Sequence, residues 1–175
     1  FQNYSVEYFA IRYFLDTERF AQVDKGRTKI IDGPLLIFAA GNDSFGAASY
    51  PGALMDCICV TGLGPDGYPA SYTNFGPGCN IAAPGGDYYL NTESRRSSIL
   101  STFISEVKGN SSDYAYMDGT SMACPHVSGV AALGLAYAKK LGKTFTRDEF
   151  TAMLLSSVND LDSKLSAGYK FLGYD

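Results

Sequence analysis

At 175 residues and 46% hydrophobic, the chain is long enough for one domain with a substantial core, and nothing in the length calls for two. A net charge of -4, with Lys and Arg scattered apart from Arg95-Arg96 and Lys139-Lys140, lacks the basic stripe that a phosphate backbone needs, which excludes nucleic acid as an expected partner. The longest apolar runs fall far short of the roughly 20 residues that cross a bilayer, and residues 1–10 lack a basic start and apolar core, so neither a membrane span nor a signal peptide is expected.

The chain opens at Phe1, which leaves room for a leader, a pro-segment or more of the domain ahead of it. Residues 4–20 place apolar side chains at Tyr4, Tyr8, Ile11 and Leu15, with a second row at Val6, Ala10 and Phe14, and Asn3 suits an N-cap; the spacing predicts a helix. Residues 24–34 turn polar, with a short strand over 28–31, and lead into "LLIFAA" at 35–40. That run is apolar at every position, the pattern of a strand buried on both faces of a parallel sheet. Gly41-Asn42-Asp43 ends it. Two more apolar runs, 57–60 and 80–83, stop at Thr61-Gly62 and Pro84-Gly85-Gly86.

Residues 91–113 are polar and read as exposed loop, with one strand at 99–104. A helix follows over 121–141, small or apolar nearly all round, which predicts a central element packed closely on the sheet. Thr146 and Glu149 then make a capping-box pattern at the start of a last helix, 146–158, with Phe150, Met153, Leu154 and Ser157 on one face. The four cysteines, Cys57, Cys59, Cys79 and Cys124, fit no metal-ligand spacing and read as free buried thiols, with disulfides as the alternative. Asp56, Asp66, Asp87, Asp113 and Asp118 are dispersed and read as solvated loop or turn carboxylates, leaving no metal constellation.

The most informative stretch is "YMDGTSMACPHVSG" at 116–129. Ser121 stands at the first turn of the predicted helix, where unpaired N–H groups and the helix dipole favour negative charge. Alone, such a Thr-Ser pair is more often a cap than a nucleophile. Pro125 predicts an irregular start to the helix. The chain's one histidine, His126, is five residues on, about 500° around the helix, so the two side chains point about 140° apart. His126 therefore reads as a packed helix residue bonded to a neighbour and not as the base for Ser121. Lys139 and Lys140 lie about 27 Å along the same helix and cannot serve either.

Several strings in order carry a resemblance to the subtilisin-like serine proteases. "GTSMACPHVSG" resembles that family's serine motif, "LLIFAAGND" its strand and turn with the oxyanion-hole asparagine, "SYPGAL" and "CICVTG" the segment after it, and "SYTNFGPGCNIAAPGG" the loop and strand before the serine region. Order and spacing agree from about Leu35 to Leu155.

The resemblance implies an α/β three-layer fold with a mostly parallel sheet, residues 1–175 being the carboxyl-terminal portion of a single peptidase domain. It implies a serine endopeptidase acting through an acyl-enzyme, with Ser121 as nucleophile and Asn42 as the side-chain donor of the oxyanion hole. Substrate walls are expected at Ala39, Ala40, Gly41 and the turn Ser49, Tyr50, Pro51 and Gly52. In the family order the triad aspartate and histidine precede the serine, and here they would precede Phe1, so the isolated chain is expected to be inactive. Expected partners are a peptide or protein substrate and the missing amino-terminal segment of the same domain. No cofactor is implied for catalysis, structural calcium is allowed without a legible ligand set, and a secreted or extracytoplasmic location is implied. The alternative reading is a catalytically inactive fold of this kind that serves in protein binding.

Overall fold

The three apolar runs form one parallel sheet. In the computed structural model, which describes residues 9–13, 30–90, 97–104, 113–161 and 163–165, β1 (Ile37–Ala39), β2 (Ile58–Leu63) and β3 (Ile81–Pro84) lie in the order β1-β2-β3. Ile37 pairs with Ile58 and Val60 with Ile81, both in parallel register. The central strand explains its own sequence: Ile58, Cys59 and Val60 are all buried because β2 has a neighbour on each side and packing on both faces. β1 departs from expectation. It is only half-buried, since among the described residues it pairs with β2 alone and forms an edge.

Helix α1 (Thr120–Lys140) lies across all three strands. Ala123, Val127 and Ala131, four residues apart, put short side chains on one face and let the helix approach Ile58, Val60 and Ala83 closely. Helix α2 (Arg147–Ser156) closes this core with Phe150 and Leu154. The Phe150 ring fills the space beside Gly134, where a Cβ would lie 3.2 Å from it. The expected capping box is present: Glu149 N–H donates to the Thr146 hydroxyl at 3.1 Å, and Thr146 N–H to the Glu149 carboxylate at 2.8 Å. The opposite face of the sheet carries a smaller cluster of Ala40, Ala48 and Cys59.

Several expectations need correction. α1 packs on the sheet as expected, yet its apolar residues on the other side stay uncovered: Val130, Leu133 and Tyr137 are 58%, 72% and 61% exposed, because the described elements cover only the face turned to the sheet. The helix also runs through Pro125 without a break, the ring costing one N–H bond near an exposed end. The polar stretch before α1 holds two strands, β4 (Ile99–Thr102) and an unexpected β5 (Tyr114–Met117), paired antiparallel. Asp87 is buried, its carboxylate accepting from Ser71 N–H at 2.6 Å, Ser71 hydroxyl at 3.1 Å and Tyr89 N–H at 3.2 Å. Asp56 is paired with Arg12 at 2.8 Å and Arg147 at 3.3 Å. Of the helix expected over 4–20 only residues 9–13 are described, and they are helical; of the strand expected over 28–31, Ile31 forms a parallel bridge to Phe145. The rest of both lies outside the described residues. All four cysteines are free, Cys57 and Cys59 buried and Cys79 and Cys124 half-buried.

Candidate active site

The carboxyl end of β1 and the amino end of α1 meet, and the residues between them are built to fit. Gly41 has φ +108°, and a Cβ there would lie 2.4 Å from Asn74 Nδ2 and 2.6 Å from Ser49 Oγ, so no side chain is tolerated. Asn74, 1% exposed, fastens this turn with every polar group it has. Its Oδ1 accepts from Asp43 N–H at 2.9 Å and Phe45 N–H at 3.1 Å, and its Nδ2 donates to Ala40 O at 3.0 Å and Ser49 Oγ at 3.2 Å. Its own N–H donates to Gly41 O at 3.0 Å. The turn is therefore held from beneath by one buried amide.

Asn42, held in this way, reaches the start of α1. Its Oδ1 accepts from the Thr120 N–H at 2.9 Å and the Thr120 hydroxyl at 2.8 Å, and the same hydroxyl accepts from Gly41 N–H at 3.2 Å. With the carbonyl oxygen occupied, the donor end of the Asn42 amide is left for another acceptor. The first-turn N–H groups divide in a complementary way. Thr120 N–H goes to Asn42, while Met122 and Ala123 N–H go to Gly119 O at 2.9 and 3.2 Å. Ser121 N–H has no partner among the described residues, and Ser121 itself is exposed. Gly119, at φ +149°, sits between the two remaining donors: a Cβ there would lie 3.3 Å from Asn42 Nδ2 and 3.7 Å from Ser121 N. The arrangement presents two N–H donors beside one hydroxyl at a helix amino terminus, the geometry for a carbonyl oxygen that gains charge.

Gly119 is tied in turn to the end of β3, its N–H donating to Gly85 O at 3.0 Å, and Tyr72 secures that turn by donating its hydroxyl to Gly86 O at 2.7 Å. Burial pushes the Tyr72 phenol well above its ordinary range, so it remains a neutral donor. The Asp118 Oδ1 is buried without a partner among the described residues and occupies the space beside Gly86.

The expected wall residues converge as well. Ser49 N–H donates to Ala40 O at 2.8 Å, which sets the 49–52 turn against Gly41. Ala40 and Gly52 are buried, Ala39, Ser49 and Pro51 half-buried, and Tyr50 stands out at 69% exposure. His126 does not join the site: its Nδ1–H donates to Met122 O at 2.8 Å within its own helix. The bond to a neighbour is as expected, but the ring is exposed and not packed. Thr120 and Asn74 escaped sequence reading because their partners are 78 and 31 residues distant. Among the described residues no three His, Cys, Asp or Glu side chains converge to hold a metal ion, so they do not fit a calcium site built of such ligands. No helix among them is long and apolar enough to cross a membrane.

The family model described as "Subtilase family" matches residues 11–170. The chain is 34% identical over 138 residues to the "Extracellular basic protease" of Dichelobacter nodosus, covering 78% of this chain and 21% of that protein. Among solved structures it resembles a protease of Pseudoalteromonas arctica with 36% identity and a TM-score of 0.59, covering 74% of this chain and 37% of the other. A cold-adapted subtilisin-like serine proteinase is similar at 28% identity and TM-score 0.55, with 71% and 38% covered. The chain thus spans about a fifth of the curated relative and under two fifths of either solved chain.

Proposed function

The chain belongs to the subtilase family, and on that premise we propose that its 175 residues are the carboxyl-terminal portion of one peptidase domain of a serine endopeptidase. Ser121 Oγ attacks the carbonyl carbon of a peptide bond. A carbon–oxygen bond forms, the carbonyl electron pair moves to oxygen, and that oxygen accepts from Asn42 Nδ2–H and Ser121 N–H. Collapse of this intermediate breaks the carbon–nitrogen bond, the amine leaves with the proton that a base took from the Ser121 hydroxyl, and the acyl ester left on Ser121 is hydrolysed by water. The observation that carries the reading is the use of Asn42 Oδ1 by Thr120, which turns the amide's donor end toward the serine.

The base comes from outside these residues. His126 is the one histidine and is held by its own helix, and the family order places an aspartate and a histidine ahead of the serine. Two features support a covering segment of that kind: β1 is a sheet edge among the described residues, and Val130, Leu133 and Tyr137 form an exposed apolar face on α1. The substrate is an extended peptide that runs past the walls at Ala39, Ala40, Gly41 and the turn Ser49, Tyr50, Pro51 and Gly52. The names of the relatives support a secreted or extracytoplasmic location. Hydrolysis of a denatured protein substrate by the longer polypeptide that carries the aspartate and histidine tests the assignment. Activity should fall to background in Ser121→Ala, and retention of the parent rate by that variant refutes it.

A further inference from the structure

Cys59 lies in β2, and Cys79 lies just ahead of β3, the strand that pairs with it. Because Val60 pairs with Ile81 in parallel register, Cys59 stands opposite Asn80, and the bonds agree: Asn80 N–H donates to Cys59 O at 3.0 Å, and Cys59 N–H to Asn80 Oδ1 at 2.7 Å. Cys79 is one residue before Asn80, in the turn that leads into β3. Paired strands run about 4.8 Å apart, a spacing within the Cα range that a disulfide spans.

The side chains also meet. Val60 faces the α1 core, whereas Cys59 points to the opposite face of the sheet, into the cluster with Ala40 and Ala48, and Cys79 packs against that same cluster. A turn whose Cys79 N–H donates to Gly76 O at 3.1 Å sets Cys79 there. The contact with Cys59 lowers the Cys79 thiol's affinity for its proton, while that contact and burial raise the affinity of Cys59. The two sulfurs differ in access. Cys59 is fully buried and lies against Gly52, where a Cβ would be 2.9 Å from its sulfur. Cys79 is half-buried and lines a cavity of about 310 Å³ with Thr61, Asn80, Ile81, Leu161 and Leu165.

We infer that Cys59 and Cys79 form a dithiol–disulfide pair in which Cys79 is the entry thiol for a low-molecular-weight disulfide and Cys59 the resolving thiol. The Cys79 thiolate attacks one sulfur of the small disulfide, whose sulfur–sulfur bond breaks; a mixed disulfide forms and one small thiolate leaves. Cys59 then loses its proton and attacks Cys79 sulfur, releasing the second small thiolate, which takes up a proton. Two protein thiols and one small disulfide become one protein disulfide and two small thiols. The bridge closes the segment from β2 to β3, directly beneath the 49–52 turn. The inference stands on the cysteine geometry and not on the peptidase reading.

The test equilibrates the full chain with a series of reduced-to-oxidised glutathione ratios, quenches with acid, alkylates under denaturing conditions and maps the peptides by mass spectrometry. Two of the four cysteines should lose alkylation together, a peptide linked between Cys59 and Cys79 should appear, and dithiothreitol should reverse both. Cys59→Ser should accumulate one glutathione on Cys79, and Cys79→Ser should accumulate none on Cys59. The wild-type mapping does not depend on the folding of either variant. Four alkylated cysteines at every ratio, a bridge through Cys57 or Cys124, or glutathione on Cys59 in Cys79→Ser overturns the inference.

Discussion

The Thr120 hydroxyl donates to Asn42 and accepts from Gly41, so it orients the amide proposed to stabilise the reacting oxygen. Thr120→Ala removes both bonds without touching substrate. A net loss of about 1–1.5 kcal/mol corresponds to about a tenfold fall in kcat, with KM little changed and most of the rate kept in Thr120→Ser. Steady-state kinetics on the longer polypeptide measure this, and an equal loss in both variants would count against an orienting hydroxyl. Asn74 acts one step further away. In Asn74→Ala the N–H groups of Asp43 and Phe45 lose their partner, while the Ala40 carbonyl keeps the Ser49 N–H, so the protein should lose about 2–3 kcal/mol in urea unfolding. A change below about 0.5 kcal/mol would mean that water replaces the amide without penalty. Neither residue could be picked out from the sequence, because a bond across 78 or 31 residues exists only once α1 has met the turn after β1, or the loop after β2 has met that turn.

At the scale of elements, local chemistry was legible and coverage was not. The Thr146 and Glu149 box appears as read, and Thr146→Ala should destabilise the protein by about 1 kcal/mol in thermal or urea unfolding; no change would mean that packing of Phe150 alone fixes the helix start. The three parallel strands were legible from their uninterrupted apolar runs, but their expected stops were not all met: β2 runs through Thr61-Gly62 to Leu63, and β3 includes Pro84. β5 was missed for a physical reason: three of its four residues are exposed, so no apolar–polar alternation marks it. α1 was read as central and packed closely on the sheet, and it is, but its composition, small or apolar nearly all round, did not reveal that the described elements cover one face only. Leu133 makes that distinction measurable. Leu133→Ala should change the stability of the 175-residue chain by less than about 0.5 kcal/mol, as at an exposed site, and that of the longer polypeptide by about 2–5 kcal/mol, as in a core. Equal small effects in both would argue that nothing covers this face.

For the whole molecule, the site belongs to a junction and not to any one element: β1 delivers Asn42, α1 delivers Thr120 and Ser121, β3 anchors Gly119 through Gly85, and Asn74 joins the loop after β2 to the turn after β1. The fold class and the nucleophile candidate were legible because ordered motifs spread over most of the chain. The base was not, since the one histidine is engaged within α1. The most direct measurement is labelling with a fluorophosphonate, with the modified residue located by mass spectrometry, on the 175-residue chain, on the longer polypeptide and on its Ser121→Ala variant. The account predicts label on Ser121 in the longer polypeptide alone. Label on another residue, or none on a folded longer polypeptide, would contradict it.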